Sequence, residues 1–210
     1  FTVAFADEAL LLRKNGIKSP IVVVTPEKEA LEKMIKYDIE VVVHNFSTLN
    51  MIKECNLRIH LKIDSGMHRL GFEKKDLNQL IAFLKKHKNL KIASVFSHLA
   101  CADSPELDFF TQEQINCFEQ ISQEITSAFD YKILRHICNS AASVRFPQVH
   151  YDMIRLGIGM YGIGVNQETQ KHLRYVHKLQ SRLSEIRTIE KGEGVSYMRR
   201  FVAEKQSKIG

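Results

Sequence analysis

The sequence has no tryptophan, and its 210 residues include only four cysteines and four prolines. Cys55, Cys101, Cys117 and Cys138 stand far apart with no Cys-x-x-Cys pair, so neither a disulfide framework nor a metal site is expected. Unpaired thiols suit a reducing compartment, which makes a cytoplasmic location the expectation. Four prolines and ten glycines are too few for a disordered or low-complexity chain. No apolar run approaches the ~20 residues that a membrane-spanning helix requires, so no membrane association is expected. No secretory signal opens the chain. Phe1-Thr-Val-Ala-Phe5 already reads as a strand, as if the chain began inside a fold. The net charge of +6 comes from short clusters such as Lys85-Lys86 and Arg199-Arg200, mixed with acids along helices. These are solvated faces with no basic stripe, so no nucleic-acid partner is expected.

A hydrophobic content of 44% is enough to bury a full core. The apolar residues follow a rhythm of short strands and amphipathic helices. Strands are expected at Thr2–Phe5, Ile21–Val24, Val41–Val43, Arg58–Asp64, Ile92–Phe96, Leu134–Cys138 and Met153–Leu156. Asp7 is the expected cap of the first helix, Thr25-Pro26 opens the second and Ser47 the third. Leu77, Leu80, Ile81 and Leu84 share one helical face, as do Leu107, Phe110, Phe118, Ile121 and Ile125 on a longer helix. Strands alternating with helices indicate βαβ units and a parallel sheet. Seven strands leave a closed eight-stranded barrel one βα unit short. From about Tyr175 the character changes. Ser181–Ile189 alternates polar and apolar residues, Glu190–Gly194 turns and Val195–Tyr197 resumes, as at the start of a β-rich domain. The expectation is thus a partial α/β barrel over 1–174 and the beginning of a β domain over 175–210.

Four stretches carry chemistry. In His60-Leu-Lys-Ile-Asp64, strand alternation puts His60, Lys62 and Asp64 on one face. An inward Lys62 is costly unless it is paired or loses its charge, and a structural ion pair and a functional amine are equally open. Arg69 follows just past the strand end, between glycines that permit a tight turn. His98 lies just beyond the next strand, where a histidine serves structure or chemistry. Asn139 and Ser140 begin a helix, where plain capping competes with anion binding. Arg155-Leu-Gly157-Ile158-Gly159 brings glycine backbone beside the last strand. Barrels often bind phosphate through the loops after their last two strands, and the third and fourth stretches occupy those loops.

Taken in order, Val3-Ala-Phe-Ala-Asp-Glu-Ala9, His60-Leu-Lys-Ile-Asp-Ser-Gly-Met-His-Arg-Leu-Gly71, Ser97-His-Leu-Ala100, Cys138-Asn-Ser-Ala-Ala-Ser143 and Met153-Ile-Arg-Leu-Gly-Ile-Gly-Met-Tyr-Gly162 resemble the bacterial alanine racemases. The resemblance implies a pyridoxal 5'-phosphate enzyme with an eight-stranded α/β barrel, of which strands 2–8 are present, followed by a mostly β domain. It implies a homodimer acting on a small amino acid, converting L- to D-alanine for peptidoglycan precursors. It assigns Arg155 to the pyridine nitrogen and His98 to holding Arg155. Ser140, Gly157 and Ile158, with Asn139 beside them, would bind the phosphate. Arg69 would lie near the phenolic oxygen, Val24 would line the pocket, and Lys62 would match a lysine often carbamylated. One departure is His68, where the family often has glycine. The family's Schiff-base lysine motif, Lys-Ala-Asn/Asp-Ala-Tyr-Gly, does not occur in these residues, and its catalytic tyrosine is expected beyond Gly210. The chain by itself is therefore expected to be an inactive fragment. A non-enzymatic cofactor carrier usually lacks the β domain, and related decarboxylases place an acid at the pyridine nitrogen. The tail from Ser181 and Arg155 argue against these alternatives.

Overall fold

A computed structural model describes all 210 residues, which divide into two compact units, Phe1–Arg174 and Tyr175–Gly210. The first unit is a curled, wholly parallel sheet whose strands are neighbours in chain order: β1 Thr2–Val3, β2 Val22–Val23, β3 Glu40–Val43, β4 Leu57–Lys62, β5 Leu90–Phe96 and β6 Leu134–His136. Helices α1 (Ala6–Lys14), α2 (Leu31–Lys36), α3 (Phe46–Ile52), α4 (Leu77–Lys86) and α5 (Asp108–Ser127) fill the crossovers, and α6 (Ser140–Arg145) follows β6.

The two faces of the sheet differ. Val41, Val43, Ile59, Leu61, Ile63, Ile92, Val95 and Ile137 join one apolar cluster with the helices. That cluster takes in Leu77, Leu80 and Leu84 of α4 and Ile115, Phe118, Ile121 and Ile125 of α5. Spacings of three and four keep these residues on one helical face. Residues of the other parity (Glu40, Val42, His60, Lys62, Ser94, Phe96 and His136) face the concave side, and most of them are buried. Ile59 pairs with Ile92 but His60 pairs with Ser94, so Ala93 is an extra residue that bulges β5.

Several expected boundaries move. The seventh strand is absent from the sheet. Met153–Leu156 runs beside β6 with the Asp152 amide on Arg135 O (3.1 Å) and the Arg155 amide on Cys138 O (3.0 Å), two bonds that do not make a ladder. Helix α1 starts at Ala6 with Phe5 as its N-cap, which leaves Asp7 in the first turn. The Glu8 carboxylate instead takes the amides of Ala4 (2.8 Å) and Phe5 (2.9 Å). After Pro26 the chain makes only a 3-10 turn, Lys28–Ala30, before α2. Asn45 rather than Ser47 caps α3, because its side chain accepts from the Thr48 amide at 2.8 Å.

In the second unit β7 (Arg187–Ile189) pairs antiparallel with β10 (Ser207–Ile209), and β8 (Gly194–Val195) with β9 (Phe201–Val202). The strand expected from Ser181 is realised only in its last three residues. The one expected through Tyr197 stops at Val195, where Ser196 turns the chain with φ +58°.

Candidate active site

The loops after β4, β5 and β6 all leave the C-terminal edge of the sheet, where α/β folds place their ligands. After β4 the backbone is fixed by its own residues. Asp64 accepts from the amides of Gly66 (2.9 Å) and His68 (3.0 Å). Phe72 returns alongside the strand, exchanging backbone bonds of 2.9 Å with Lys62 and Asp64. Gly71 permits this return: at φ +133°, a Cβ there would lie 2.4 Å from the Asp64 nitrogen. His68 holds φ +52°, a conformation that a β-carbon disfavours, so a glycine at this position would relieve strain.

After β6, Asn139 caps α6 by accepting from the Ala142 amide (3.0 Å) and donates to Leu99 O (3.2 Å). Ser140 Oγ accepts from the amides of Gly157 (2.9 Å) and Gly159 (3.2 Å). Nothing lies within 4 Å of the point where a Gly157 Cβ would stand. These residues, with Ile158, Arg155 and His98, line a cavity of about 770 Å³ that also reaches Met67 and Thr2 of β1.

Arg155 lies across the ends of β5 and β6. Its Nη2 donates to Ser97 O (2.7 Å), Ile137 O (3.2 Å) and His98 Nδ1 (3.3 Å), and its Nη1 donates to His136 Nδ1 (2.6 Å). Phe96 is flanked by three groups: the His136 ring stacks on it at 5.0 Å, Arg155 stands 5.2 Å from its centroid, and Lys62 Nζ stands at 5.3 Å. Burial and the neighbouring Arg155, Lys62 and Arg69 charges push His98 down to about 4. Burial and Arg155 push His136 down to about 2. Both imidazoles therefore stay neutral near pH 7. Burial, then Arg155 and Arg69, lower Lys62 to about 8, while burial lowers Arg155 only to about 10, which keeps it charged.

The structure thus brings together His98, Asn139, Ser140, Arg155, Gly157 and Ile158 around one cavity. Lys62 is buried on the concave face, 5% exposed, and is not in the cavity wall. Arg69 is exposed and acts on Lys62 and His98 through its charge. Val24 continues the end of β2, its amide on Val3 O at 3.0 Å, and does not line the cavity. Sequence reasoning missed His136 and Phe96. The available signal was their even spacing along β5 and β6, which puts them on the same concave face as Lys62.

Residues 1–165 match the family described as alanine racemase, N-terminal domain. The chain belongs to that family. The alanine racemase of Halalkalibacterium halodurans is 36% identical over 222 residues, covering 100% of this chain and 56% of the relative. Alanine racemase 1 of Bacillus subtilis is 36% identical over 220 residues, covering 99% and 55%. Among solved structures, the alanine racemase from D-cycloserine-producing Streptomyces lavendulae superposes with a TM-score of 0.85 at 28% identity, covering 99% of this chain and 58% of that one. The chain therefore spans about half the length of the alanine racemases it matches. Its curled six-stranded sheet is part of the (β/α)8 barrel of this family. No helix is long and apolar enough to cross a membrane.

Proposed function

We propose that this chain supplies the cofactor-binding barrel of a pyridoxal 5'-phosphate-dependent racemase that interconverts L- and D-alanine. The observation that carries the reading is the cavity wall on which the Ser140 hydroxyl, the Gly157 and Gly159 amides and the Arg155 guanidinium converge. The fit to the cofactor rests on that wall. A glycine backbone with open space where a Cβ would stand lets a phosphate approach closely, with the Ser140 hydroxyl beside it. A cavity of about 770 Å³ is of the size that holds a small cofactor.

Bound there, the cofactor supplies an electron-withdrawing ring that stabilises negative charge at the substrate's α-carbon. Ser140, Gly157 and Ile158, with Asn139 beside them, would hold the phosphate. Arg155 would meet the pyridine nitrogen as a hydrogen-bond donor that keeps its proton, which would weaken the electron sink and disfavour side reactions. Neutral His98 accepts from Arg155 and orients it. Arg69 would lie near the phenolic oxygen, and Val24, which the resemblance assigns to the pocket, stands outside the cavity wall. Lys62, whose amine loses its proton readily, is suited to react with carbon dioxide. The resulting carbamate anion would sit among the Arg155 and Arg69 charges and steer Arg69.

Racemisation takes a proton from one face and returns one to the other, so it needs two bases. The lysine motif that the resemblance assigns to one of them is absent from these 210 residues. We therefore propose that this chain alone does not turn over alanine. The full reading includes a homodimer, a cytoplasmic location and supply of D-alanine to peptidoglycan. The test is to titrate the chain with pyridoxal 5'-phosphate by absorbance and to assay conversion of L- to D-alanine. Ser140→Ala is expected to weaken binding about tenfold without loss of fold. Equal affinity, or turnover by the chain alone, sinks the corresponding part of the reading.

A further inference from the structure

The concave face carries a continuous chain of polar contacts that starts at Arg155 and ends far from the cavity. Arg155 Nη1 lies 2.6 Å from His136 Nδ1, and His136 Nε2 lies 3.0 Å from Ser94 Oγ. Ser94 Oγ lies 2.7 Å from His60 Nδ1, and His60 Nε2 lies 2.6 Å from Glu40 Oε2. The remaining Glu40 oxygen meets Arg58 Nε at 3.0 Å. Four strands, β3 to β6, and the segment after β6 each contribute a residue to it. The bulge at Ala93 is what brings Ser94 level with His60.

We propose that Glu40, His60 and Ser94 are positioning residues for Arg155. Through His136 they fix the direction in which its guanidinium points and supply the one carboxylate connected to its charge. The proposal rests on the reading of Arg155 as the group that meets the cofactor ring.

Two arguments support it. The first is charge. Every direct hydrogen-bond partner of Arg155 is neutral: three backbone carbonyls and the rings of His136 and His98. Arg155 takes part in none of the ion pairs of this chain. A cation withdrawn from water without a counter-ion is costly, and polarised hydrogen bonds in series carry part of the compensation. The second is direction. Guanidinium only donates, so His136 Nδ1 must accept and its proton sits on Nε2. That proton goes to Ser94 Oγ. Ser94 is fully buried, and its own hydroxyl hydrogen has His60 Nδ1 to go to. His60 then carries its proton on Nε2, facing Glu40. Each donor in the chain thus points the same way, from Arg155 to the carboxylate. Burial raises the Glu40 pKa, and the hydrogen bond from His60 with the Arg58 charge brings it below the ordinary value, so the end of the chain is anionic. Apolar side chains at these positions would be cheaper to bury than this series, which sets it apart from core filling.

The test is 15N NMR of the histidine and arginine side chains in the 210-residue chain without cofactor. Both His60 and His136 are expected as neutral rings protonated on Nε2. Glu40→Gln, whose side-chain polar partners are His60 and Arg58, is expected to shift the Arg155 guanidinium resonances. In a Ser94→Ala background, where the chain is cut, Glu40→Gln is expected to leave Arg155 unmoved. A proton on Nδ1 of either histidine, an unmoved Arg155 in Glu40→Gln, or the same shift in both backgrounds overturns the proposal. The wild-type ring spectra decide it even if a variant does not fold. Pyridoxal 5'-phosphate titration separates the two readings. Glu40→Gln is expected to weaken binding several-fold, whereas no binding by the wild type removes the assigned role of Arg155 and leaves the chain of contacts standing.

Discussion

The two faces of the six-stranded sheet come from the same strands, one residue apart, yet different rules govern them. The helix side is filled with Val, Ile and Leu and joins a single apolar cluster. The concave side holds Glu40, His60, Lys62, Ser94 and His136, all buried, and each except Lys62 has a specific hydrogen-bond partner. Area removed from water stabilises the first face and is indifferent to direction. Donor and acceptor geometry organises the second, where a misplaced proton leaves a buried group unsatisfied. The helix face holds the fold together, and the concave face spends part of that stability on aiming Arg155.

The largest effect that sharpens this contrast is on the apolar side. Leu61→Ala, at a fully buried position, is expected to cost about 2–5 kcal/mol in denaturant unfolding. It should leave the pH dependence of stability unchanged, and a changed profile would blur the distinction between the faces.

Acid breaks the other side. His136 and His98 have folded pKa values of about 2 and about 4, below the ordinary 6.5. The unfolded chain therefore binds protons first, and stability present above pH 6.5 is lost progressively as pH falls toward those values. Unfolding curves between pH 6.5 and 4 are expected to lose up to about 1.4 kcal/mol per pH unit of slope in His136→Asn. An unaltered slope would mean that His136 is not held neutral.

Lys62 gives a smaller effect of the same sign, in a more alkaline window. Its folded pKa, about 8, lies below the ordinary 10.5, so the stability present above pH 10.5 is lost as pH falls to 8. At pH 7 in buffer free of carbon dioxide, Lys62→Met is expected to stabilise the chain by about 2 kcal/mol. If added bicarbonate stabilises the wild type but not the variant, the carbamate reading gains support; no response to bicarbonate counts against it.

The smallest effect is in the loop after β4. His68→Gly removes a β-carbon from a φ of +52° and also the 3.7 Å contact with Asp64. The balance is expected to be a gain of under about 1 kcal/mol, read as a small rise in Tm. A loss would mean that the Asp64 contact outweighs the strain.

Much of this molecule is legible in its residues. Period-two alternation along His60–Asp64 separates the faces of β4, and glycines 66 and 71 mark a tight turn; both carry positive φ in the structure. The Asn139-Ser140 pair and the Gly157–Gly159 backbone are found together as their positions after late strands implied. The segment at Met153–Leu156 read as a strand because three of its four residues are apolar, but a strand exists only through a partner's ladder, and here only the Arg155 amide bonds across, to Cys138 O.

The sequence by itself determined the order of the first six strands and their helices, which residues face inward, the glycine turn after β4 and the Asn139 cap, because these depend on near neighbours and on hydrophobic period. Only the tertiary structure decided that His136 reaches Arg155, that one extra residue at Ala93 brings Ser94 level with His60, and that Glu40 closes the series. Those contacts join residues 19 to 42 positions apart. Their register is set by the packing of whole strands, and no local pattern encodes it.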